Sequence, residues 1–134
     1  MANYYGAART NYFTVRDANA FQAWADKRGF RVITDKDGEV GILPGDASDD
    51  GTLNTWGEDS ETGDFEKVDI LGEIASHLVK GSVAILMESG AEKLRYIVGR
   101  AEAINSDGKR REITLEQIYK QAAKLGTSVT QCEY

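Results

Sequence analysis

Hydrophobic and polar positions along the chain alternate in register with a small set of elements. Arg9 to Val15 mixes aromatic and β-branched residues and predicts a first strand. Asp17 is suited to cap a helix over 18–28, where Phe21, Trp24 and Ala25 fall at i, i+3 and i+4 on one apolar face. Gly29 supplies its stop. Phe30 to Thr34 and Glu39 to Leu43 flank a turn containing Asp37-Gly38, which predicts a hairpin. A short strand is expected over Thr52 to Trp56, inside a stretch otherwise rich in Gly, Asp, Ser and Thr.

A second helix is expected over 69–78, with Ile70, Leu71, Ile74 and Leu78 on one face. Ser82 to Glu88 reads as a buried strand, pairing across residues 89–93 with a long strand from Leu94 to Ile104. Asn105 to Gly108 is a turn, and Lys109-Arg110-Arg111 follows it as a basic run. Thr114 and Gln117 form a capping-box pattern for a third helix over 115–124, and Ser128 to Glu133 reads as an edge strand. Hairpins interleaved with helices predict an α+β fold, an antiparallel or mixed β-sheet with about three helices packed on it. The 134 residues fit one domain, with an acidic loop-rich segment at 44–66.

Composition adds little until it is located. The 41% hydrophobic and 28% charged content is that of an ordinary folded domain. Residues 1–5 lack a basic start followed by an apolar run. The longest apolar run, around Val83 to Met87, falls far short of the roughly 20 residues of a membrane span. The single cysteine, Cys132, allows no internal disulfide and fits a reducing compartment. A cytoplasmic location without membrane contact is therefore expected, the host-cell cytoplasm if the chain is phage-encoded.

Charge changes the picture more. Residues 35–69 hold twelve of the 22 acids and only two of the 16 bases, a local charge of −10. The remainder carries +4, and together they give the net −6. Such a segment repels nucleic acid and attracts a basic surface, so no direct nucleic-acid binding is expected. Lys93, Arg95, Arg100 and Lys109 to Arg111 could neutralise it, within the molecule or across a dimer.

Catalytic patterns are missing from the sequence: there is no phosphate-binding glycine loop, no Gly-x-Ser-x-Gly and no Cys-x-x-Cys. His77 is the only histidine and reads as a helix-end residue, while Cys132 sits near the terminus. Asp46-x-Ser48-x-Asp50-Gly51 matches the opening of a calcium loop, but its twelfth position is Gly57 where a glutamate is required. The expectation is a non-enzyme without cofactor or metal. Its candidate partner-binding residues are Asp46, Asp49, Asp50, Glu58, Asp59, Glu61, Asp64 and Glu66, with Trp56 and Phe65 as aromatic anchors.

Two stretches, Asn3 to Asp17 (NYYGAARTNYFTVRD) and Glu92 to Ala101 (EKLRYIVGRA), resemble segments of small uncharacterised proteins of phages and other mobile elements. The likeness covers most of the ends and centre of the chain but not the acidic segment, and it brings no site residues. It implies an accessory protein of a mobile element. Such proteins often counter host defence, anti-CRISPR and antirestriction proteins among them, and several are small, acidic and catalytically inert. The expected function is inhibition of a host defence nucleoprotein complex, with the acidic segment mimicking nucleic acid on a basic surface. The alternative is a homo-oligomeric regulatory or structural binding module, such as a homodimer, whose acidic loop is only solvated.

Overall fold

The computed structural model describes residues 4–45, 51–53, 56–58, 65–93 and 95–132, with residues 4–5, 56–58 and 65–66 described by their backbone. Four antiparallel strands form the main sheet in the order β1 (Tyr4–Thr10), β6 (Val83–Glu92), β7 (Tyr96–Asn105) and β8 (Arg110–Thr114). Two hairpins stand beside it: β2 (Arg31–Thr34) with β3 (Val40–Leu43), and β4 (Trp56–Glu58) with β5 (Phe65–Lys67). The helices are α1 (Ala18–Arg28), α2 (Ile70–Ala75) and α3 (Ile118–Ala122), the last entered through a 3-10 turn at Leu115–Gln117. The fold is α+β, and every strand pairing is antiparallel.

Local signals explain α1. The Asp17 carboxylate accepts from the backbone N–H groups of Asn19 and Ala20, and Gly29 closes the helix with φ +79. The first strand differs from expectation: it begins at Tyr4 and ends at Thr10. Asn11 ends it: its backbone N–H still donates to the Ile85 carbonyl at 3.1 Å, and its side-chain amide adds two bonds to β6. Its Nδ2 donates to the Val83 carbonyl at 3.0 Å and its Oδ1 accepts from the Ile85 N–H at 2.8 Å. Past Asn11 the main chain leaves β6. It runs on between the hairpin and α2, bridging Phe13 to Val40 on one side and Val15 to Leu78 on the other.

The core lies between one face of the main sheet, the β2–β3 hairpin and α1 with α2. Phe13, Phe21, Ile42, Leu71, Ile74 and Ile104 are fully enclosed, each contributing roughly 1.5–3 kcal/mol by burial. Thr10 is the one buried polar side chain among the described residues, and it is satisfied. Its hydroxyl donates to the Asn11 carbonyl at 2.9 Å and accepts from Ile42 N–H at 2.8 Å. Gly41 passes so close that a Cβ there would lie 2.6 Å from the Asn11 carbonyl oxygen.

Other expectations need correction. Thr52 and Leu53, expected in the short strand, are not in one; Trp56–Glu58 is a strand that pairs with Phe65–Lys67, so most of a strand pair falls within the 44–66 segment. Arg110 and Arg111 of the basic run after Gly108 open strand β8, where their charges suit an edge. No strand forms over 128–132, and α3 is shorter than expected and buries no residue. Strand β6 is buried on one face only: Ala84 and Leu86 point into the core, whereas Val83 and Met87 are exposed.

Candidate functional site

The acidic stretch is visible in part. Asp46, Asp49, Asp50, Asp59, Glu61 and Asp64, and with them the calcium-loop pattern, lie outside the described residues. Trp56 and Glu58 sit on β4 and Phe65 and Glu66 on β5, and their side chains lie outside the described set as well. The register sets Glu58 opposite Phe65 and Trp56 opposite Lys67.

At the start of the stretch the geometry is complete. Asp35, Asp37 and Glu39, on the β2–β3 turn, bring one carboxylate oxygen each within 4.8 Å of one another. Three carboxylates at this spacing could ligate a divalent cation. Their local bonds point to a turn-closing role instead. Asp35 Oδ1 accepts from the N–H groups of Asp37 and Glu39, both at 2.9 Å, and Glu39 Oε2 accepts from the Thr14 hydroxyl at 3.3 Å. Gly38 completes the turn at φ +83. No basic side chain among the described residues forms an ion pair with these three.

The end of the stretch is neutralised internally. Asp69 caps α2 by accepting from Gly72 N–H and is ion-paired with Arg110 of β8, which also reaches Glu102 at 3.5 Å. Arg95 pairs weakly with Glu92 at 3.9 Å. The bases beyond the acidic stretch are thus partly spent within the chain, and Arg100 shares the inward-facing side of β7 with Glu102. They form no continuous stripe.

His77 sits one residue past the α2 C-cap with its ring edge-on to Phe21 at 5.6 Å and tilted against Trp24 at 5.9 Å. Burial, followed by the nearby Arg16 charge, lowers its pKa below the ordinary 6.5, with Glu73 and Asp17 partly opposing. It is packed as a core-edge aromatic. Cys132 is exposed, with its N–H donating to the Tyr119 hydroxyl on α3.

Sequence reasoning missed an apolar face of the main sheet. Among the described residues only Leu115, over Gly99, lies on the outer face of the main sheet. Met87 and Ile97 are each 59% exposed and Ile113 is 65% exposed. Met87 and Ile113, with Ala7, Gly99 and Ala101, line a groove of about 580 Å³, and Leu115, also in its lining, lies over Gly99. The signal was the alternation Ile97-x-Gly99-x-Ala101-x-Ala103, whose small members hide an apolar face.

No protein-family model, curated protein or solved structure matches the chain. Among the described residues no helix is long and apolar enough to cross a membrane.

Proposed function

We propose that the chain is a binding protein that occupies the basic, nucleic-acid-binding surface of a partner through residues 35–69. The observation carrying this reading is the concentration of twelve acids against two bases in that segment. The turn carboxylates Asp35, Asp37 and Glu39 support it, being held together with no ion-pair partner among the described residues. A surface built to neutralise phosphates accepts carboxylates at similar spacing, and the gain comes as fast, salt-sensitive association. The resemblance to mobile-element proteins directs the reading to host defence nucleoproteins, the anti-CRISPR type of target.

The test is competition. The full chain is titrated into a basic duplex-binding defence effector with labelled DNA bound, at several salt concentrations. DNA is expected to be displaced, with affinity falling as salt rises. Neutralising Asp49, Asp50, Glu58, Asp59 and Glu61 together should weaken binding at least roughly tenfold. Equal binding by the neutralised chain, or no displacement at low salt, would overturn the reading. The exposed outer sheet face favours a second reading, the homo-oligomeric binding module.

A further inference from the structure

We propose that the outer face of the β1-β6-β7-β8 sheet is a homodimer interface, in which the groove of one protomer takes the C-terminal arm of a second copy. This deepens the oligomeric reading and does not depend on the acidic segment.

The argument begins with strand alternation. In antiparallel pairs, directly opposed residues share a face. Leu86 faces Glu102 and Ala84 faces Ile104 on the core side, so Val83, Ile85 and Met87 fall outward with Ala103 and Ala101. The same register carries Ala7 and Arg9 of β1 and Ile113 of β8 to that outer side. The face is apolar in its middle and small-residued along β7. Its charged members, Arg9 and Arg111, belong to the edge strands. A dry centre inside a polar rim is the anatomy of an interface.

The arm offers the matching surface. Leu115, Ile118, Ala122 and Leu125 fall at i, i+3, i+7 and i+10, a helical spacing carried through the 3-10 turn, α3 and the turn that follows it. That stripe is exposed: Ile118 is 58% and Leu125 92% exposed, and α3 has no buried residue. A helix this short is marginal in isolation, so an uncovered stripe on it makes sense only with a surface to rest on. Leu115 joins the two features, because it lies on Gly99 at the groove's end while opening the arm. Beyond it the chain leaves its own groove uncovered.

Area decides for a second copy. Val83, Met87, Ile97 and Ile113 on the face, with Leu115, Ile118, Leu125 and Val129 on the arm, are each at least 43% exposed. Together they present on the order of 800 Å² of apolar surface, what one partner contributes to a standard interface. Groove and stripe on one chain are also self-complementary. A two-fold axis would satisfy both at once, each arm entering the other protomer's groove.

The experiment is sedimentation equilibrium of the full chain from low to high micromolar concentration. Twice the chain mass is expected. Ile113→Asp and Leu125→Asp should each raise the dimer dissociation constant at least roughly tenfold. Both positions are exposed, so circular dichroism should stay unchanged, and so should the urea midpoint measured at concentrations low enough that parent and variants are monomeric. A photo-crosslinker on Cys132, in a mixture of ¹⁴N and ¹⁵N chains, should yield mixed-isotope cross-links into β6, β7 or β8. A monomer throughout the range overturns the proposal. So does a dimer indifferent to either substitution, or cross-links confined to one isotope, which would mean that each arm closes its own groove. None of these outcomes bears on whether the acidic segment binds a basic surface.

Discussion

Glu73 ties the two core helices together, and its removal should be among the most damaging surface-accessible changes in the chain. On α2 it accepts from three donors on α1. Trp24 Nε1 donates to Oε1 at 2.7 Å, Arg28 Nε to the same oxygen at 2.9 Å, and an Arg28 terminal nitrogen to Oε2 at 2.7 Å. The Arg28 side chain is only 13% exposed and that of Glu73 33%. Glu73→Ala therefore leaves a nearly buried guanidinium and an indole N–H without an acceptor. Breaking a buried pair from one side costs about 3–5 kcal/mol. Solvent screening on the more open carboxylate brings the expected loss to about 2–3 kcal/mol. For a chain of this length that is about 10 °C in Tm. Trp24→Phe, which removes one neutral donor, should cost about 1 kcal/mol. Urea unfolding of Glu73→Ala, Arg28→Met and the double variant measures the coupling. A coupling below about 0.5 kcal/mol, the level of an exposed pair, would refute the reasoning.

His77 makes stability depend on pH. Its folded pKa lies below 6.5, so the unfolded chain takes up the proton first as pH falls. The contribution is complete above pH 6.5 and is lost as pH falls through 6.5 toward the folded value; urea midpoints from pH 7.5 down to 5.5 should decline, and His77→Gln should flatten that decline. Asn11→Ala removes both side-chain bonds to β6, at Val83 and Ile85, and should cost about 1–3 kcal/mol by urea unfolding. Gly41→Ala drives a methyl against the Asn11 carbonyl and the Thr10 hydroxyl, and a loss of about 1–3 kcal/mol is expected in the same assay.

What could be read from the sequence was whatever local chemistry dictated. The α1 boundaries follow from Asp17 and Gly29, the β2–β3 turn from Asp35 and Gly38, and the capping box from Thr114 and Gln117, whose Oε1 accepts from Thr114 N–H at 3.3 Å. What escaped depends on partners distant in sequence. Tyr4 to Ala8 has two alanines and a glycine, weak strand formers, and is extended because β6 pairs with it along its whole length. Arg110 to Thr114 has the charges of a loop but is held by β7. The acidic segment could be located by counting charges, yet its pairing as β4 and β5 rests on three-residue contacts too short for periodicity to reveal. The outer face was hidden for a related reason: Gly99, Ala101 and Ala103 scarcely register as hydrophobic, although Gly99 and Ala101 line the groove.

The two proposed surfaces together predict an effect that neither gives alone. A dimer joined through the outer face carries two acidic segments on one particle. Against a partner that displays several basic patches, the second contact becomes intramolecular, and avidity can exceed the single-site affinity by about 10²–10⁴-fold where the geometry allows. Ile113→Asp lies outside residues 35–69 and should leave the single-site affinity, measured against an isolated basic domain in solution, unchanged. On a surface densely coated with the same domain, the monomeric variant should dissociate far faster than the parent. Neutralising Asp49, Asp50, Glu58, Asp59 and Glu61 should do the reverse, leaving the dimer intact and weakening both measurements. If Ile113→Asp weakened binding equally in the two formats, the sheet face itself would be contacting the basic partner. The separation of an apolar dimer face from an acidic binding segment would then be wrong.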